Sequence, residues 1–124
     1  ARAYEDRFGL TIPQWRLVCV LAEDGPRPKT AILARTAMDR ATVTHALQGL
    51  LRRDLVARIA EDREGPSNRL ALTPEGQRLH ADIAPLALAY EAALLAGLEP
   101  QEVRVLKRLL GRLETAALRL SAGR

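Results

Sequence analysis

Few side chains in this 124-residue chain have a type and spacing suited to chemistry, and they point away from catalysis. His45 and His80 are its only histidines and Cys19 its only cysteine. The histidines fall on different predicted helices, with no carboxylate or thiol spaced to complete a triad or a metal site. No glycine-rich phosphate loop is present. No enzyme, catalytic residue, metal or cofactor is expected. A single cysteine forbids an internal disulfide. Cys19 falls in a helical pattern with Leu17, Val18 and Leu21, so it reads as a small buried hydrophobe before it reads as a redox sensor.

What remains is the chemistry of cations and hydrogen-bonding groups. The chain carries 19 Lys+Arg against 15 Asp+Glu, a net charge of +4. The excess is local. Residues 1–26 sum to −1 and residues 70–124 to +1, while residues 27–60 hold seven cations against only Asp39 and Asp54. A basic segment in an otherwise balanced chain is the footprint of polyanion binding, and equally of a solvated Arg-rich surface. Inside this segment Ala41, His45, Gln48 and Arg52 share one face of a predicted helix. Thr42 and Thr44 flank that face, and it holds no acid.

These groups need elements to hold them. Hydrophobic residues make up 48% and aromatics 3%, with Ala, Leu and Arg abundant, which favours one largely helical domain. No apolar run approaches the roughly 18 residues that span a bilayer, and no signal segment opens the chain, so a cytoplasmic protein without a membrane partner is expected. The chain opens at Ala1 rather than Met, and residues are expected to precede it. Residues 1–8 read as the end of a helix stopped by Gly9. Thr11 caps the next helix, which Gly25-Pro26 ends. A short helix covers 28–36. Asp39 caps another over 40–53, whose Val43, Leu47 and Leu50 lie within about 60° of one another. Two strand-like runs, 55–60 and 68–72, enclose a turn marked by Gly65, Pro66 and Ser67. Thr73-Pro74 opens a long helix, in which Pro85 should form a kink or cost roughly 3 kcal/mol. Gly97 ends it. Glu99-Pro100 opens a last helix with Leu106, Leu109, Leu110, Leu113, Ala117 and Leu120 on one face.

This order predicts a mainly α (α+β) fold: a winged helix-turn-helix with a two-stranded wing and a helical dimerisation lobe. Residues 1–10 would end a first dimerisation helix, 11–72 form the DNA-binding lobe and 73–124 supply the long C-terminal helices. Residues 1–8 are too short to cover the apolar faces of those helices, so a homodimer is expected.

The segments LTIPQWRLVCVLAEDGP (10–26), DRATVTHALQGLLRRDLV (39–56), NRLALTPEGQRL (68–79) and LEPQEVRVLKRLL (98–110), in this order, resemble the MarR family of transcriptional regulators. The resemblance implies a dimeric, cytoplasmic, bacterial DNA binder, and a repressor more often than an activator. It also implies that the 40–53 helix enters the major groove while the wing reaches the minor groove. On that basis Arg40, Thr42, Thr44, His45 and Gln48 would lie near base edges. Lys29, Arg52 and Arg53 would lie on phosphates, and Arg58, Arg63 and Arg69 would serve the wing. Departures from the family pattern fall at Ala37 and Asp54, where Gly is usual, and at Glu64 and Pro66, where the wing commonly has Asp and Arg. Family members bind small aromatic acids between their lobes, which makes Trp15, Arg16 and His80 candidate effector contacts. Trp15 also reads as core, His80 as a surface histidine, and Arg16 as the partner of an acid on a neighbouring helix. The rival reading is a winged-helix protein-interaction module without DNA binding, which the acids Glu61, Asp62 and Glu64 would suit.

Overall fold

The computed structural model describes residues 8–60 and 68–122. Phe8 is helical and Gly9 turns the chain at φ +72°; the expected helix before them lies outside the described residues. Helix α1 spans Ile12–Asp24. Thr11 and Gln14 close its start as a reciprocal pair. The Thr11 hydroxyl accepts from the Gln14 N–H (3.2 Å), and the Gln14 side chain accepts from the Thr11 N–H (3.0 Å). Gly25, at φ +76°, ends the helix as expected.

Strand β1 (Arg27–Pro28), helix α2 (Lys29–Thr36), helix α3 (Arg40–Arg52), strands β2 (Val56–Ala60) and β3 (Asn68–Leu72), and helices α4 (Pro74–Leu95) and α5 (Pro100–Ala122) follow. The sheet is antiparallel in the order β1-β3-β2. Strand β1 adds a third member to the expected two-stranded wing, pairing Arg27 with Leu70 and Pro28 with Arg69. Two residues are too few to show alternation, and a proline fits only an edge strand. Helix α4 continues through Pro85.

The chain divides into two compact units, Ala1–Asp82 and Ile83–Arg124. In the first, α1 packs on α2 and α3, with Leu17, Val18, Ile32, Val43 and Leu50 fully buried. Each such side chain contributes about 1.5–3 kcal/mol of burial. In the second, Lys107 and Glu91 form an exposed ion pair at 3.6 Å. Leucines 109, 110, 113 and 120 of α5 are exposed, Leu120 by 74%. No single helix among the described residues is long and apolar enough to cross a membrane.

The exit from α3 is the tightest piece of backbone. The Leu55 N–H returns to the Leu50 carbonyl (3.0 Å) and the Asp54 N–H to that of Leu51 (3.1 Å). This Schellman ending needs a left-handed residue, here Asp54 at φ +56°. Ala37, between α2 and α3, is left-handed too, at φ +57°. The two positions where a glycine was missing from the family pattern are thus the two non-glycine residues with positive φ among those described. The Thr73 hydroxyl donates to the Asp54 carbonyl (2.6 Å) and accepts from the Gly76 N–H (3.0 Å), and the Thr73 N–H donates to the Leu55 carbonyl (3.1 Å).

A Cβ on Gly76 would lie 2.1 Å from the Leu55 oxygen, so Gly76→Ala is expected to destabilise the fold by about 2 kcal/mol or more. Ala37→Gly and Asp54→Gly act the other way. A left-handed non-glycine residue costs about 1–2 kcal/mol, and the extra unfolded-state freedom of glycine offsets about 0.4–1 of that. Ala37→Gly is expected to raise the urea midpoint, by up to about 1.6 kcal/mol in stability, and Asp54→Gly by less, since Asp tolerates the left-handed region better; a lower midpoint for Ala37→Gly would contradict the strain.

Candidate nucleic-acid interface

Helices α2 and α3 and the turn between them form the helix-turn-helix, and three neighbouring groups fix its geometry. The Thr36 hydroxyl donates to the Ile32 carbonyl (2.9 Å) and is buried with it. The Arg16 guanidinium, from α1, donates to the Thr36 carbonyl (2.8 Å) and so closes the end of α2. The Asp39 carboxylate accepts from the Thr42 N–H (2.7 Å) at the start of α3. That bond to the Thr42 N–H holds the Asp39 carboxyl below the usual carboxylate range.

With its start and end fixed, α3 buries Val43, Ala46, Leu47, Gly49 and Leu50. Arg40, Ala41, His45, Gln48 and Arg52 are exposed, and Thr42 and Thr44 are half-buried beside them. The sequence-predicted polar face is therefore assembled on one side of one helix. The cations nearby do different jobs. Among the described residues, Arg40 and Arg52 make no hydrogen bond or ion pair. The Lys29 ammonium donates to the Thr44 hydroxyl. Arg53 donates to the Gly9 carbonyl (2.6 Å), which ties the end of α3 to the chain before α1. Arg35 is paired with Glu23 (3.1 Å) and Asp24 (3.4 Å) of α1, a neutralisation the sequence did not reveal.

Arg58 is exposed on β2, opposite Leu70; Arg69 is half-buried on β3, opposite Ile59. Arg63 lies outside the described residues, as do the wing positions Glu64 and Pro66. A cleft of about 380 Å³ runs between the start of α1 (Thr11, Pro13, Gln14) and the first turns of α3 (Ala41, Thr42, His45, Ala46).

Of the three effector candidates, the structure brings two together. Trp15 and His80 stack with ring centroids 5.4 Å apart and planes 18° from parallel. Arg16 donates to the Thr36 carbonyl. His80 also borders a cleft of about 370 Å³, whose other walls are Leu21, Ala22, Gly25, Pro26, Ala71, Leu72 and Gln77. Gln77 was missed because a lone polar residue on an amphipathic helix carries no signal of its own. Cys19 is half-buried, and burial, with Glu23 nearby, pushes its thiol up to about 11. Among the described residues no group of three or more His, Cys, Asp or Glu side chains is placed to hold a metal ion.

The model of the MarR family matches residues 8–65. A search of curated protein sequences finds no match. Solved structures do match. A probable transcriptional regulator from Pseudomonas aeruginosa is 32% identical, with 91% of this chain and 86% of that one covered and a TM-score of 0.80. BpsR of Bordetella bronchiseptica, whose DNA binding is regulated by 6-hydroxynicotinic acid, is 26% identical over 90% of this chain and 92% of its own, with a TM-score of 0.74. NadR, solved in complex with 4-hydroxyphenylacetate, is 26% identical over 91% and 80%, with a TM-score of 0.71. The helix-turn-helix, the three-stranded sheet beside it and these likenesses agree: the chain belongs to the MarR family of winged helix-turn-helix transcriptional regulators.

Proposed function

We propose that this chain is a DNA-binding repressor that binds an inverted-repeat operator as a homodimer and is released by a small aromatic acid. The observation that carries the DNA reading is the outward face of α3. It is exposed, free of acids and bordered by Arg40 and Arg52, whose charges nothing in the described protein neutralises. Such a face suits the major groove, where His45, Gln48 and Thr42 offer donors and acceptors to base edges. Arg52 suits a phosphate, and Arg58 and Arg69 suit the backbone beside the wing. Arg53 has a positioning task at Gly9 and contributes its charge from there.

The dimer reading is supported by the exposed leucines of α5, a stripe too apolar to be left in water. Two lobes of this kind would read half-sites roughly one helical turn apart. The effector reading is supported by the aromatic acids named with BpsR and NadR. In this chain the cleft beside His80 has apolar walls and polar groups at His80 and Gln77, which suits a flat acid.

The test is selection of bound duplexes from a random pool, with and without aromatic acids. A symmetric sequence, released by one of the acids, is expected. No retention on random duplex at low salt would favour the protein-interaction module. Arg52→Ala is expected to weaken all sequences alike and to reduce the salt slope of log K by about one unit. His45→Ala is expected to alter base preference by about 1–3 kcal/mol. The Cys19 thiol stays protonated near neutral pH, so peroxide treatment is expected to leave operator affinity unchanged.

A further inference from the structure

Lys29 opens α2 and Thr44 lies on α3, fifteen residues further along the chain, yet their side chains meet. An ammonium has no lone pair, so the Thr44 hydroxyl must be the acceptor in this bond. That leaves the hydroxyl proton to be placed. Helical threonines commonly donate it to the carbonyl four residues back. Thr36 does so to Ile32 (2.9 Å) and Thr115 to Gly111 (3.1 Å). Thr44 makes no such bond. Its proton is therefore free to point outward, beside the exposed face of α3. Lys29 keeps two further N–H donors. Together the two side chains present N–H and O–H donors, and the Thr44 oxygen keeps one lone pair beside them.

An edge that takes up both donors at once must carry two adjacent acceptors. Guanine does, with N7 and O6 side by side in the major groove; adenine has one acceptor, N7, beside its amino donor, cytosine an amino donor and thymine the single acceptor O4. A phosphate could accept from both donors as well, but it would confer no base preference.

We propose that Lys29 and Thr44 act as one donor pair that reads a guanine edge, so that Lys29 determines specificity rather than serving only as a phosphate anchor. This rests on the DNA-binding reading of α3 above. The Lys29 bond sets the direction of the Thr44 hydroxyl, and loss of either partner removes the same base preference.

The experiment is duplex selection with the wild type, Lys29→Met, Thr44→Val and the double variant, each checked for folding by thermal unfolding. The wild type is expected to require guanine at one position of each half-site. Both single variants are expected to lose roughly tenfold discrimination there, and the double variant no more than either alone. Replacing that guanine with 7-deazaguanine, which lacks the N7 acceptor, is expected to weaken the wild type about tenfold and Lys29→Met hardly at all. The wild-type arm of that comparison does not depend on any variant folding. The proposal is overturned if Lys29→Met selects the wild-type sequence and loses only about one unit of salt slope, the result for a phosphate anchor. It is overturned as well if 7-deazaguanine is tolerated by the wild type. A wild type that selects no sequence at all would remove the DNA-binding reading and the pair with it; a wild type that selects a sequence unchanged in Lys29→Met would remove the pair alone.

Discussion

The direction of α3 depends on a clasp at its end. The chain leaves this helix through a left-handed residue, Asp54, and within two residues two of its carbonyls are taken by the start of α4. Thr73 supplies both donors, from its hydroxyl and its backbone. Gly76 supplies the room, because the Leu55 oxygen occupies the place a Cβ would need. The clasp also sets where β2 begins, since Leu55 precedes Val56 directly. From Val56 the register runs to Leu72, the residue before Thr73, so the sheet closes the loop that the clasp opens. One turn of helix α4 thus holds the exit of α3 and the return of the wing at once.

A second constraint concerns charge. The basic segment of the sequence is an aggregate of cations with unlike tasks. Arg16, from outside that segment, and Arg53 are spent on backbone carbonyls at helix boundaries, where a planar guanidinium can close an otherwise unfilled end. Arg35 is spent on two acids of α1. Lys29 is turned to a threonine. Arg40 and Arg52 are left with their full charge toward solvent. Bonds to carbonyls and to a threonine leave those charges in place, so of these cations Arg35 alone is offset by acids, and the others keep their charge where those bonds fix it.

What was legible in the sequence was what is local. Thr11, Asp39 and Thr73 announce helix starts because a cap bonds to a backbone group only three residues on. The buried and exposed sides of α3 follow from the helical period of Val43, Leu47 and Leu50. The left-handed residues were foreshadowed by the glycines that the family pattern would place at Ala37 and Asp54. What could not be read was contact at a distance between a side chain and a backbone oxygen. Arg16 and Thr36 are 20 residues apart, and Arg53 and Gly9 are 44 apart. A carbonyl is present at every residue, so no residue type marks it as a partner. Strand β1 escaped for a different reason: two residues carry no period, and one of them is proline.

The bond from Arg53 to the Gly9 carbonyl makes two remote stretches of chain mechanically one. Arg53 is the residue at which α3 stops, and Gly9 is the residue at which the chain turns before α1. A pull on the segment leading into Gly9 is thus applied at the far end of α3, where the lever arm about the helix centre is longest. A displacement of Gly9 is resisted at the end of α3 by that one exposed bond, and the two part once it opens.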